Sequence, residues 1–311
     1  MRVLVTGACG FVGPYVVHTL LGKGHQVFAA VKSKCDEQLK GAGILDLDVL
    51  KPSSLVDALT NVNPEGIIHL AAQSKVKTAW DNAANTISVN TVGTANLIEA
   101  VAEICPNTFV ISVGSGEEYG ITAKLGHPLR ETDPCFPQNP YAISKLAAGM
   151  TAIQLAKKNG MNVIHIRAFN HFGPGQAEGY VVSDFASQIA RIEKYGLDPV
   201  IRVGDLSAQR DFTDVRDVVR AYVLLLEAKV DSGYVNVCSG IPRRIDYLLD
   251  CLVAKAKLPV KIEIDQQKMR PSEVPVFIGS SEKLVEATGW SSKYKFEDSL
   301  SDTLNWWRKM V

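Results

Sequence analysis

Val3-Leu4-Val5-Thr6-Gly7-Ala8-Cys9-Gly10-Phe11-Val12-Gly13 lies near the start of the chain, and its reading decides the fold. An apolar, β-rich run ends in a turn with glycine at 7, 10 and 13, followed by a helix-forming segment. A turn free of side chains lets backbone N–H groups approach a pyrophosphate, whose charge the N-terminus of the next helix favours. The GxxGxxG spacing differs from the GxGxxG of ordinary dinucleotide-binding domains. A glycine trio alone is a weak signal, and the strand directly before it makes it a strong one.

Working outward, β-rich runs recur at Arg2–Thr6, Gln26–Val31, Gly66–Leu70, Thr108–Val113 and Asn162–Arg167. Helical candidates lie between them at Val12–Leu21, Ser54–Leu59, Thr91–Ile104 and Tyr141–Lys158. This alternation predicts an α/β fold, a Rossmann-type doubly wound parallel sheet with helices on both faces. After Phe169 the texture turns richer in Gly, Pro and Gln; Val215–Ala228 and Tyr234–Val237 read as a helix and strand returning to the sheet. The expected division is a dinucleotide-binding domain of 1–169 plus 212–237, and a smaller mixed α/β substrate-binding domain of 170–211 plus 238–311, ending in a helix over Glu297–Lys309.

Composition narrows the function classes. Of 311 residues, 46% are hydrophobic and 21% charged, as in ordinary globular chains. Lys plus Arg and Asp plus Glu are 33 each, so no general field attracts nucleic acid or an anionic membrane, and any bound anion needs a local site. Six scattered cysteines with no CxxC read as free thiols in a reducing compartment. No His/Cys/Asp cluster suggests a metal. No targeting segment is visible after Met1, and no apolar run approaches the roughly 20 residues of a membrane helix, so a cytoplasmic protein without membrane partners is expected.

The second strand ends in Ala30-Val31-Lys32-Ser33-Lys34, with cations and no carboxylate. Lys32 and Lys34 suit a 2′-phosphate, which favours NADP(H); solvated lysines beside an NAD(H) site are the alternative. Asp48 follows the expected third strand, where a carboxylate can accept the adenine amino hydrogens. Ala71 and Ala72 leave room for the cofactor. Tyr141-Ala-Ile-Ser-Lys145 puts a phenol and an ammonium one helical turn apart on one face. The cation is expected to lower the phenol pKa and make it an acid–base group near neutral pH.

These features together resemble the extended short-chain dehydrogenase/reductase family of nucleotide-sugar epimerases, dehydratases and reductases. The residues that carry the resemblance are Gly7, Gly10, Gly13, Asp48, His69-Leu70-Ala71-Ala72, Asn90, Ser115, Tyr141 and Lys145, and it spans essentially the whole chain. It implies that Phe11, Val12, Val49, Leu70, Gln73, Asn90, Tyr141 and Lys145 also line the cofactor, and that Ser115 hydrogen-bonds the reacting sugar oxygen. It further implies that the second lobe holds a sugar nucleotide, with Ser74, Val181 and Asn170 among its contacts.

Five stretches are similar to the GDP-mannose branch of that family: 71–74, 115–120, 169–176, 210–215 and 270–274. The strongest likeness is to reductases that make GDP-rhamnose from GDP-4-keto-6-deoxy-mannose. A 4,6-dehydratase needs a base for C5, where Glu117 stands, and a proton donor at 116, which is Gly here. The arginine pair of the dehydratases after the second strand is missing, and Ser183-Asp184 replaces their basic residues. The reductase reading is therefore preferred, with a dehydratase, another epimerase or reductase of the family, and a non-catalytic sensor as alternatives. Arg210 and Arg270 are the expected diphosphate cations. His171 is expected to serve a structural hydrogen bond. The resemblance also implies a homodimer through a four-helix bundle of Thr91–Ile104 and Tyr141–Lys158; Ala147, Ala148 and Ala152 would fit close helix contact or packing on the sheet.

Overall fold

A computed structural model describes residues 1–32, 37–269 and 274–311. Among these, strands β1 (Arg2–Thr6), β2 (Gln26–Val31), β3 (Gly43–Asp46), β4 (Gly66–His69), β5 (Phe109–Val113) and β6 (Val163–Ala168) alternate with helices α1 (Gly13–Gly22), α2 (Pro52–Val62), α3 (Val76–Asp81), α4 (Ala83–Ile87), α5 (Gly93–Ile104) and α6 (Pro140–Asn159). The chain continues through β7 (Asn170–Phe172), α7 (Val181–Tyr195), β8 (Val200–Val203), β9 (Gln209–Asp214), α8 (Val215–Ala228) and β10 (Gly233–Val237). It closes with β11 (Pro242–Arg244), α9 (Ile245–Val253), β12 (Lys261–Ile264), β13 (Val276–Phe277), α10 (Glu282–Thr288) and α11 (Phe296–Met310).

Among the described residues, seven parallel strands form the main sheet in the order β10-β6-β5-β4-β1-β2-β3. This is the doubly wound arrangement read from the alternating runs. Both faces are covered, which is why strands such as Val3-Leu4-Val5 are uniformly apolar rather than alternating. Val16, Val17 and Leu20 of α1, with Val218, Tyr222 and Leu225 of α8, pack on one face. Leu55, Leu97, Ile98, Val101, Ala152 and Ala156 of α2, α5 and α6 pack on the other. The order in which successive strands are added reverses between β1 and β4, which run parallel, and the carboxyl ends of strands at such a switch point frame a crevice.

A second layer rests on β9, which pairs with β7, β11 and β13. α7, α9 and α11 pack there around Phe172, Phe212, Phe296 and Leu248. Two sequence expectations need correction. The helix expected over Thr91–Ile104 begins as α5 at Gly93 and is reached through a widened π-type turn over Ser88–Val92, which periodicity alone does not reveal. Cys105, Cys135, Cys238 and Cys251 are free thiols, but Cys9 is disulfide-bonded, which the scattered spacing of the cysteines does not signal.

Candidate active site

The turn after β1 abuts the end of β4. Gly7 has φ +68°, and a Cβ there would lie 2.6 Å from the Ala71 amide nitrogen and 2.8 Å from the Leu70 carbonyl carbon. A Cβ at Gly13 would fall 2.2 Å from the Ala8 carbonyl oxygen. The Gly10 and Gly13 amides close the turn on Gly7 and Gly10, at 3.0 and 3.1 Å. The start of α1 around Phe11 and Val12 then presents the N–H groups that a helix leaves without intrahelical partners. A backbone this bare at a helix start fits a dinucleotide diphosphate. Phe11 stacks on the His171 ring at 6.1 Å, and Tyr15 donates to the Pro174 carbonyl at 2.7 Å, so the turn is braced against the loop after β7. His171 donates from Nδ1 to the Phe169 carbonyl (2.9 Å), and burial holds its pKa below the usual value, as a structural imidazole requires.

Beyond β2, Lys32 Nζ lies 3.0 Å from Asp48 Oδ2, so the two residues expected to read the adenosine end engage each other. Asp48 also accepts from the Leu50 amide at 3.0 Å, and that bond leads in holding its pKa down. Lys34 and Arg270 lie outside the described residues. Val49 is buried against Gly93.

The segment after β4 (Leu70, Ala71, Ala72, Gln73, Ser74) is held by Asn90, from the π-type turn. Its Oδ1 accepts from the Gln73 amide (2.8 Å), and its Nδ2 donates to the Gln73 carbonyl (3.0 Å) and to Ser144 Oγ of α6 (2.9 Å). Asn90 thus spends its amide on tying this loop to α6. Beneath it, His69 sits between Thr6 Oγ1 (2.7 Å) and Thr94 Oγ1 (3.1 Å), where burial, aided by Lys145, drives its pKa down to about 3 and keeps the ring neutral.

Ser115, Glu117 and Tyr141 come together, with Lys145 one turn further along α6. Ser115 ends the loop after β5, and its Oγ accepts from the Glu117 amide at 3.2 Å. Asn139 positions α6: its Oδ1 caps the Ala142 amide (2.8 Å), while its Nδ2 donates to Glu117 Oε2 (2.9 Å). Burial pushes the Glu117 carboxyl above the usual range, against the Asn139 bond and the Arg210 charge. Lys145 is 7% exposed and donates to the Val113 carbonyl at 2.7 Å; burial brings its pKa down to about 8.

The expected lowering of the Tyr141 phenol does not occur. Burial, then the Glu117 carboxyl, push its pKa well above the ordinary value, and Ser115 only partly opposes them. The ammonium is committed to a backbone carbonyl, so the phenol stays protonated and is stored as an acid. Arg210 on β9 faces Glu117 electrostatically and donates to the Gln209 carbonyl at 2.7 Å. Asn170 is exposed at the start of β7, and Val181 opens α7.

Sequence reasoning missed Tyr180. Its hydroxyl is 3.2 Å from Ser74 Oγ across the crevice mouth, and its phenol acts on the Tyr141 pKa. The Ser183-Asp184 pair explains how it is held: Asp184 Oδ1 accepts from the Gly179 amide (2.6 Å), and Ser183 Oγ donates to the Gln176 carbonyl (2.9 Å). A lone tyrosine before a helix carries no motif, and neither does Asn139. Together, a protonated phenol, an adjacent hydroxyl and a buried ammonium can protonate a developing alkoxide.

The sequence profile of the family described as GDP-mannose 4,6 dehydratase matches residues 4–303. The chain is 36% identical to the GDP-6-deoxy-D-mannose reductase of Pseudomonas aeruginosa, over 100% of this chain and 98% of that one. It is 30% identical to GDP-mannose 4,6 dehydratase 2 of Arabidopsis thaliana, over 94% and 83%. The solved structure of RMD from Pseudomonas aeruginosa complexed with NADPH superposes with a TM-score of 0.88 at 34% identity, covering 100% of this chain and 99% of that one. A full-length sequence match and a full-length structural match converge on one assignment: the chain belongs to the GDP-mannose 4,6-dehydratase family of NAD(P)-dependent epimerases, dehydratases and reductases.

Proposed function

We propose that the chain reduces the C4 ketone of GDP-4-keto-6-deoxy-D-mannose to give GDP-D-rhamnose, with NADPH preferred over NADH. The observation that carries the choice of reductase is position 116. It is a glycine packed on the Phe169 ring, where a Cβ would lie 3.1 Å from ring carbons. A side chain at 116 able to protonate a departing C6 hydroxyl would press on the Phe169 ring, and glycine itself has no proton to give. The full-length likeness to a GDP-6-deoxy-D-mannose reductase supports the same reading.

In this reading the 7–13 turn with Phe11 and Val12 holds the cofactor diphosphate, Lys32 meets the 2′-phosphate, Asp48 and Val49 the adenine, and the 70–73 segment the nicotinamide half. The reduced nicotinamide supplies the hydride. Tyr141 gives its proton to the oxygen at C4, Ser115 orients that oxygen, and Lys145 supports the phenol and the nicotinamide ribose. Glu117, whose carboxyl burial pushes above the usual range, hydrogen-bonds a sugar hydroxyl. Arg210, Asn170 and Arg270 meet the diphosphate, and Ser74 and Val181 the sugar end, in the smaller lobe.

A dehydratase is the second reading, favoured by Glu117 within the site. Incubation with GDP-mannose alone, and with GDP-4-keto-6-deoxy-mannose plus NADPH, separates them. NADPH oxidation is expected only with the ketone, and a 4-keto product from GDP-mannose alone overturns the proposal.

We also propose a homodimer. Trp80, Ile87, Val92, Ile143 and Met150 are 41–63% exposed on α3, α4, the π-type turn and α6, an apolar face suited to a four-helix bundle with a second copy. Light scattering on Ile143→Glu/Met150→Glu against the wild-type chain tests it: an unchanged mass rejects this face. None of the helices among the described residues is long and apolar enough to cross a membrane, and a cytoplasmic location goes with the proposed substrate.

A further inference from the structure

Beneath the four residues just described lies a second buried cluster that the proposed reaction does not use. Glu118 and His165 are 0% and 1% exposed. Glu118 Oε1 accepts from His165 Nε2 (2.9 Å) and from the Ser115 amide (2.8 Å), and Oε2 accepts from Arg167 Nε (3.1 Å). A carboxylate can only accept, so the Nε2 proton is assigned by the pairing; His165 Nδ1 lies 3.1 Å from Ser112 Oγ. Space is cleared for the pair on two sides. A Cβ at Gly114 would sit 2.1 Å from His165 Nε2 and 2.2 Å from Glu118 Oε1, and one at Gly149 would sit 2.5 Å from the His165 ring. Two backbone positions beside Ser115 and Lys145 are therefore bare to admit a charged group under them.

We infer that Glu118, braced by His165 and Arg167, is a positioning residue that fixes the Ser115 backbone and serves as the buried counter-charge of Lys145. This rests on the reading of Ser115 and Lys145 given above. A buried ammonium is costly unless a negative charge compensates it. The groups around Lys145 are the Val113 carbonyl on β5, to which it donates, His69 on β4, Tyr141 one turn back on α6, and Glu118, which lies behind Gly114, the residue after that carbonyl. His69 is neutral, and the Tyr141 phenol is protonated. Glu118 is the group that opposes the desolvation of Lys145, and His165, Arg167 and the Ser115 amide keep Glu118 itself ionised despite its burial. Around them, Arg167 lies between the Tyr119 and Tyr234 rings, 4.6 and 4.4 Å from their centroids, and donates to the Glu131 carbonyl. The nearby Cys135 thiol is pushed up to about 11 and is neutral.

The test is an NMR titration of the Lys145 side chain in cofactor-free protein labelled at lysine Cε, with the signal assigned by Lys145→Arg. E118Q should lower the Lys145 midpoint by about one pH unit. The alkaline limb of kcat should move the same way while KM changes little, and E118D should restore much of both. If E118Q unfolds because Arg167 loses its partner, E118Q/R167M removes both charges together and should show the same downward midpoint. A midpoint that coincides with wild type in a folded variant overturns the inference, even where thermal stability has dropped. Because the titration needs no substrate, its outcome is independent of whether the proposed sugar is correct.

Discussion

Gly7→Ala separates two costs that the structure superimposes at one residue. The first is conformational: φ +68° for a residue with a Cβ costs about 1–2 kcal/mol, offset by about 0.4–1 kcal/mol because alanine restricts the unfolded chain. The second is steric. The new carbon would meet the Ala71 nitrogen at 2.6 Å, its Cα at 2.7 Å and the Leu70 carbonyl carbon at 2.8 Å, all backbone atoms that cannot rotate away. Forcing packed elements apart costs roughly 1–3 kcal/mol more. Gly160, the C-cap of α6, is the internal control: φ is +67°, but nothing lies within 4 Å of its Cβ position. Gly160→Ala should therefore lose roughly 0.5–1 kcal/mol, and Gly7→Ala roughly 2–4 kcal/mol, by denaturant unfolding. Since the displaced turn is the proposed diphosphate cradle, NADPH affinity read by fluorescence should fall by at least about tenfold in Gly7→Ala and hold in Gly160→Ala. Equal losses of stability in the two variants, with NADPH binding intact in both, would refute the reasoning.

Tyr141→Phe should lower kcat about 10²–10⁴-fold while NADPH binding and Tm hold, because only the proton donor is lost; undiminished turnover would favour the non-catalytic reading. Glu117→Gln should stabilise the fold at neutral pH. The folded carboxyl titrates above its unfolded value of 4.5, so native stability falls as pH rises from there through the raised pKa. The gain in Glu117→Gln should disappear in unfolding measured below pH 4.5, and a gain independent of pH would contradict the burial account. Lys32→Ala should weaken NADPH about 2–5-fold, a modest loss because the side chain is 68% exposed and shared with Asp48, and should leave NADH unchanged. Equal losses for both cofactors would remove Lys32 from 2′-phosphate recognition.

Legibility in the sequence followed the range of each interaction. The sheet could be read because β1 and β4 are buried on both faces, and such burial writes itself as contiguous apolar runs. Tyr141 and Lys145 could be read because their spacing is that of one helical turn. The pKa order could not: a cation four residues away suggests a lowered phenol, yet burial and the Glu117 carboxyl outweigh it. His165 and Arg167 were hidden for a related reason. In the chain they are two polar residues in the strand Val163–Ala168, and only the fold shows that every residue of β6 is buried and that Glu118 receives both. The resemblance places Asn90 along the cofactor, but only the fold shows that its hydrogen bonds also fasten Gln73 to α6. The π-type turn that aims it has no periodicity to betray it, although such turns often mark functional sites.

The Ser74–Tyr180 hydrogen bond joins the rim after β4 to the start of α7, and it is open to water. A neutral bond of that kind is worth about 0.5–1.5 kcal/mol, a bias of only about two- to thirteenfold towards contact. Such a fastening parts under thermal agitation alone. On the proposed reading of Ser74 as a contact of the sugar end, so weak a latch costs an entering sugar nucleotide little, while the buried ion pairs below keep their places.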